Sequence, residues 1–136
     1  MSTSRRNIQL VTPFAVSSLT ASEGAVLVLS SSADNTAALP AGADPDPVSV
    51  AILGLSLFAI TSTQTSADVV TAGIFPGIAA ASITRGQLLT IANTSGGVKP
   101  AAPGAGTNVG VIGYAMEDAS SGERVAINIA IGELQG

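Results

Sequence analysis

Residues 125–131 read V-A-I-N-I-A-I, with Val125, Ile127, Ile129 and Ile131 alternating against Ala126, Asn128 and Ala130. Successive side chains of a strand point to opposite faces, so this period of two marks a strand with one buried face. The same grammar recurs upstream in shorter runs. Val109 to Met116 (VGVIGYAM) and Gln87 to Ala92 (QLLTIA) read as strands, and Val98-Lys99-Pro100 as a short edge piece. Glu117 to Glu123, Ser95-Gly96-Gly97 and Ala101 to Thr107 read as turns and loops, since Gly, Ser and Pro supply the backbone conformations that turns need.

The N-terminal half follows with more interruptions. Residues 1–7 are polar, Ile8 to Phe14 reads as a short strand, and Ala25 to Leu29 (AVLVL) is an apolar run of strand length. Ser30 to Pro47 holds three prolines and reads as a loop. In Val48 to Ile60, Val48, Val50 and Ile52 share one parity and Leu53, Leu55 and Leu57 the other. A one-residue change of phase predicts a bulge or bend near Gly54. Thr61 to Asp68 is a polar connection. Val69 to Ile83 divides into two apolar pieces around Phe75-Pro76-Gly77, a turn signal, with Ala79 to Ala81 compatible with one helical turn. No window shows a sustained 3.6-residue period, so the chain is expected to be all-β. About seven short strands should form a small barrel or sandwich.

The two halves echo each other. S-L-T (18–20), E-G (23–24), V-L-V-L (26–29) and V-A-I-L-G (50–54) are answered by S-I-T (82–84), R-G (85–86), L-L-T-I (88–91) and G-V-I-G (110–113). Two related hairpin units, 18–54 and 82–113, are the corresponding expectation, inside a single β domain of residues 16–136 that follows an N-terminal arm of residues 1–15.

Composition narrows the chemistry. The 136 residues suffice for one domain with a single core. There is no Cys, hence no disulfide, thiolate nucleophile or thiolate metal site, and no His, hence no Ser-His-Asp triad. Charged residues are 10% of the chain, against about 25% in an ordinary soluble domain. A net charge of −4 opposes nucleic-acid binding, which needs clustered Lys and Arg. A mean hydropathy of +0.52 opposes disorder. The longest apolar run, Val48 to Ile60, is shorter than the roughly 20 residues of a spanning helix, and Arg5-Arg6 is followed by polar residues, so neither a membrane segment nor a leader is expected. Two explanations of the apolar content stay open: a compact core of small aliphatics, or apolar surface buried against other subunits.

No catalytic, cofactor or metal site emerges. The nine carboxylates fall mostly in turns, and a glycosidase-like pair would lack aromatic walls. Asp44-Pro45-Asp46 offers oxygen to Ca²⁺ but too few ligands, and reads better as turn chemistry. Pro103-Gly104-Ala105-Gly106 lacks the Gly-Lys-Ser/Thr of a phosphate loop. Arg85, Lys99 and Arg124 read as solvated surface charge. The serines have no visible base. The expectation is a protein that is not an enzyme and carries no cofactor.

Residues 77–132 carry a more specific pattern. They run G-I-A-A-A-S-I-T-R-G-Q-L-L-T-I, then G-G-V-K-P-A, then G-V-I-G-Y-A, then A-S-S-G-E-R-V-A-I-N-I-A-I-G. This resembles the small capsid cement, or head decoration, proteins of tailed bacteriophages. The matching positions are Gly86, Leu88, Leu89, Gly97, Val98, Pro100, Ala101, Gly110, Val111, Gly113, Ala115, Gly122, Glu123, Val125 and Ile127. The N-terminal half departs from the pattern in its Pro-rich loop and its Val48–Ile60 run.

The resemblance implies an all-β fold of the β-tulip or β-clip kind with an extended N-terminal arm. It further implies attachment to the exterior of an icosahedral head, made in the host cytoplasm, with the major capsid protein as partner. A homo-oligomer, a trimer by preference, is implied too, with neither nucleic acid nor membrane as partner. On this reading Arg5, Arg6, Ile8 and Leu10 of the arm are the expected capsid contacts. Val50, Ile52, Leu55, Leu57 and Phe58 are the expected subunit contacts. Another virion β-module, such as a fibre or tail accessory protein, shares the composition. A surface carbohydrate-binding module is disfavoured by the 3% aromatic content and the absence of an export signal.

Overall fold

The computed structural model describes residues 6–136. Among the described residues nine strands are present: β1 (Asn7–Ala15), β2 (Val26–Leu29), β3 (Ala37–Ala38), β4 (Ile52–Ser56), β5 (Ser66–Ile78), β6 (Leu88–Ile91), β7 (Val98–Pro100), β8 (Asn108–Ala115) and β9 (Arg124–Gln135). They pair antiparallel in the order β3-β2-β4-β5-β9-β8-β6-β7, with β1 added against β5. Among the described residues there is no helix. The chain is therefore all-β, and the sheet curls until Val26 N–H of β2 donates to Gly96 O of the turn after β6, at 2.9 Å.

Two expectations are corrected here. Phe75-Pro76-Gly77 is no turn: it lies inside β5, one continuous strand of 13 residues. The reason is which way the missing donor would point. Pro76 stands opposite Ala126, whose carbonyl accepts Met116 N–H from the other side at 2.8 Å. N–H and C=O of one strand residue face the same neighbour, so Pro76 and Ala126 form a non-hydrogen-bonded pair. Proline removes no bond from the β5–β9 ladder at such a site. Ala79 to Ala81 takes no helical turn either. Ala79 N–H donates to Glu123 O at 2.8 Å and Ala80 N–H to Val98 O at 2.8 Å, which holds the segment extended.

The two halves of the sheet are built alike. Val26 pairs with Leu55 and Leu27 with Gly54; Leu88 pairs with Tyr114 and Leu89 with Gly113. One strand further on, Leu55 pairs with Val70, and Tyr114 with Asn128. Gly24 N–H donates to Ser56 O at 2.8 Å, and Gly86 N–H to Ala115 O at 2.7 Å. Ala21 and Ile60 exchange both backbone bonds, as do Ile83 and Ala119. β1 lies on β5 as the second part of β5 lies on β9: Pro13 faces Asp68, and Pro76 faces Ala126. Each half is thus a five-strand unit, and β5 closes the first while opening the second.

Two cores follow. The smaller gathers Val16, Leu19, Leu27, Ala37, Ile60, Ala67 and Val69 on one face of the first half. The larger joins Val26, Val28, Ile52, Leu55 and Val70 from the opposite face to Phe75, Leu89, Ile91, Ile112, Val125 and Ile127 of the second half. The first half is therefore buried on both faces. Val70 and Phe75 reach the same core although five residues apart, an odd spacing that a regular strand would send to opposite faces. Gly73, with φ of +110°, lies between them and absorbs the change. Phe75, Leu27, Leu55, Leu89, Ile91, Ile112 and Ile127 are fully buried. Each such side chain contributes about 1.5–3 kcal/mol of burial, without help from Trp or Cys.

The phase change at Gly54 is present, since the β2–β4 register slips between Leu27↔Gly54 and Val28↔Ile52. Gly54 and Gly113 have φ of +156° and +157°. A Cβ on Gly54 would run into Val70 O, and one on Gly113 into Asn128 O. Replacing either glycine by Ala is expected to lower stability by more than about 2 kcal/mol. Gly42→Ala, where a Cβ meets nothing within 4 Å, should stay within about 0.5 kcal/mol. Denaturant titration of the three variants checks this. The same assay separates two neighbours on one run of sequence. Leu55→Ala, at a position 0% exposed, should cost about 2–5 kcal/mol. Phe58→Ser, at one 62% exposed, should cost within about 0.5 kcal/mol.

Candidate interaction surfaces

Three of the carboxylates that the sequence places in turns accept backbone N–H bonds. Glu123 Oε1 accepts Ser120 N–H at 2.6 Å, Asp118 Oδ1 accepts Arg85 N–H at 2.8 Å, and Asp46 Oδ1 accepts Val48 N–H at 3.0 Å. The bonds of Glu123 and Asp46 close their own turns, and that of Asp118 ties its turn to the one before β6. Asp44 instead pairs with Lys99, with Nζ and Oδ2 2.9 Å apart. The pair sits in an open groove of about 660 Å³ between residues 44–48 and 99–109. Among the described residues, no three of the Asp, Glu, His or Cys type come together. The Asp-Pro-Asp motif thus divides its two carboxylates between a cation and a turn.

Of the expected capsid-contact set, Ile8 and Leu10 fall on the first strand and Arg6 just before it. Arg5 lies outside the described residues. Arg6 pairs with Glu23, and its guanidinium carbon stands 4.9 Å from the centroid of the Phe75 ring. Ile8 and Leu10 are exposed, at 40% and 55%. Asn7 to Ala15 is hydrogen-bonded along β5, with register shifts on both sides of Leu10. This segment is therefore part of the sheet in the chain itself. Its bulge at Gln9 and Leu10 presents side chains outward rather than a regular backbone edge.

The expected subunit-contact set divides. Leu55 is fully buried and Ile52 nearly so, both in the larger core. Val50 and Leu57 pack against that core while partly exposed. Phe58 projects into solvent. The alternation in this run marks faces correctly but is silent on what covers them, and here the second half of the same chain covers one of them. A surface of this set that a neighbour can reach consists mainly of Phe58.

Sequence reasoning passed over a second apolar surface. Leu88 and Tyr114 are each 37% exposed and Met116 43%. Leu88 and Tyr114 are cross-strand partners, and Asn128 Nδ2 donates to Tyr114 Oη at 2.9 Å. One signal was available: Leu88-Leu89 are adjacent, and neighbours in a strand face opposite ways, so burying Leu89 sends Leu88 outward.

No protein-family model and no curated protein matches the chain. Among solved structures it is similar to the N base of the head fiber protein gp8.5 of bacteriophage phi29, with a TM-score of 0.64 and 22% identity. The match covers 93% of this chain and 100% of that one. At that identity the likeness is one of fold, and it extends over both halves of the sheet.

Proposed function

We propose that the chain is a structural virion protein that binds the outer surface of an icosahedral phage head and stabilises the expanded capsid. The observation that carries this reading is the similarity, over nearly the whole chain, to the fold of a phage head fiber base. The glycine-turn pattern of residues 77–132 supports it independently, as a resemblance to head decoration proteins. The low charge content fits a surface committed to neighbours rather than to substrate. No catalytic step, cofactor or metal is part of the proposal.

The mechanism is mass action. A ligand that binds the expanded shell and not its unexpanded form stabilises the former by RT ln(1 + [L]/Kd) per site. Many equivalent sites on one shell multiply a modest gain. The major capsid protein is the proposed partner, and a homo-oligomer, a trimer by preference, is the proposed bound form. Arg6, Ile8 and Leu10 are the proposed shell contacts, together with Arg5 outside the described residues. A second reading, the attachment base of a fibre, is favoured by the structural neighbour, which is the N base of a head fiber protein.

Co-sedimentation with purified heads tests both readings. The protein is expected to bind expanded heads and not immature ones, and to raise the temperature at which expanded heads release their contents. Binding without any gain in heat resistance would favour the fibre base over the cement role. No binding to either head form would overturn both.

A further inference from the structure

The matched construction of the two halves has an unequal outcome. In the first half, the row Val26–Leu55–Val70 is completely buried, and the second half of the same chain covers it. The matching row in the second half is Leu88–Tyr114–Asn128. Leu88 and Tyr114 are each 37% exposed there, and Asn128 is partly exposed. Met116, the counterpart of Leu57, is 43% exposed. The counterparts are fixed by equal hydrogen bonds: Leu57 N–H donates to Asp68 O at 3.0 Å, and Met116 N–H to Ala126 O at 2.8 Å. A face that is a packed interface in one unit is thus open in the other.

We infer that the Leu88–Tyr114–Met116 face seats a second copy of this chain around a rotation axis. Two observations choose that occupant. The matching face of the first half is covered by the second half, a unit of the same construction, so the stacking of such a unit on this face is already realised once in the fold. The row is also free of charge: Leu88, Tyr114, Asn128, Ile74 and Asn7, one on each of five strands, include no Asp, Glu, Lys or Arg. Copies of a chain with a net charge of −4 repel one another, and an uncharged row lets them meet with least cost. A patch on a rotation axis meets its own image, so an apolar, neutral surface is self-complementary where a charged one is not. The Asn128–Tyr114 hydrogen bond holds the aromatic ring across two strands, which limits the freedom it loses on association. This deepens the homo-oligomer of the reading above and rests on that reading for its role on the head.

Sedimentation velocity on the wild type, Leu88→Asp and Tyr114→Asp tests it, with Gly42→Asp, where a Cβ meets nothing within 4 Å, as a control for the added charge. The wild type and Gly42→Asp are expected to sediment as one discrete oligomer. Leu88→Asp and Tyr114→Asp should sediment as monomers at the same concentration, with an unchanged far-ultraviolet spectrum. If either charged variant fails to fold, Met116→Glu at the rim of the face replaces it. A monomeric wild type, or folded face variants that stay assembled, would overturn the inference. Loss of head binding in the face variants without loss of the oligomer would also overturn it, because the face would then contact the shell. An oligomer that dissociates as expected but binds no heads sinks the virion reading and leaves the interface standing.

Discussion

The rest of the structure hangs on the backbone of β5. Its first part gives one edge to β4 and the other to β1, and its second part gives an edge to β9. A strand offers two rows of donors and acceptors, and each buried group among them must be satisfied. β5 distributes these rows over three neighbours and changes its inward face at Gly73 on the way. That single change of phase lets Val69 serve one core while Val70 and Phe75 serve the other. Without it, the second half would point its apolar face away from the first.

The division between what was legible and what was not follows from the same constraint. Strands are local, so β2, β6, β8 and β9 lie close to where alternation and apolar runs put them. The bend at Gly54 was legible as a change of parity. The fate of Phe75-Pro76-Gly77 was not, because it depends on the hydrogen-bond phase of a partner strand some fifty residues later. β9 shows the limit within one element. Val125, Ile127 and Ile129 are buried as their alternation demands, but Ile131 is 44% exposed, since the pairing with β5 ends at Ile129.

The candidate surfaces show a related limit. Alternation reports that a residue has a face and says nothing of the layer above it. Ile52 and Leu55 looked like contacts because their run is apolar, and the second half of the chain takes that surface for its own core. Leu88 and Tyr114 attracted no notice because their strands looked complete. The echo between Gly24–Gly54 and Gly86–Gly113 was visible in letters. The pairing register adds that those glycines stand at matching places in the sheet, and hence that unequal exposure of matching faces carries information.

The shared strand also has a consequence for the order of events during synthesis. β1 finds its partner when β5 emerges, so the first half can close on itself while the ribosome is still at work. The second part of β5 has no such companion until Arg124 to Ile129 emerge, some fifty residues later. Through that interval Phe75 and the edge meant for β9 wait uncovered, which is the condition that invites pairing with another nascent chain. Pro76 sits in the middle of the waiting segment. Its missing donor faces the edge opposite β9, so it blunts that edge against foreign strands at no expense to the β5–β9 ladder.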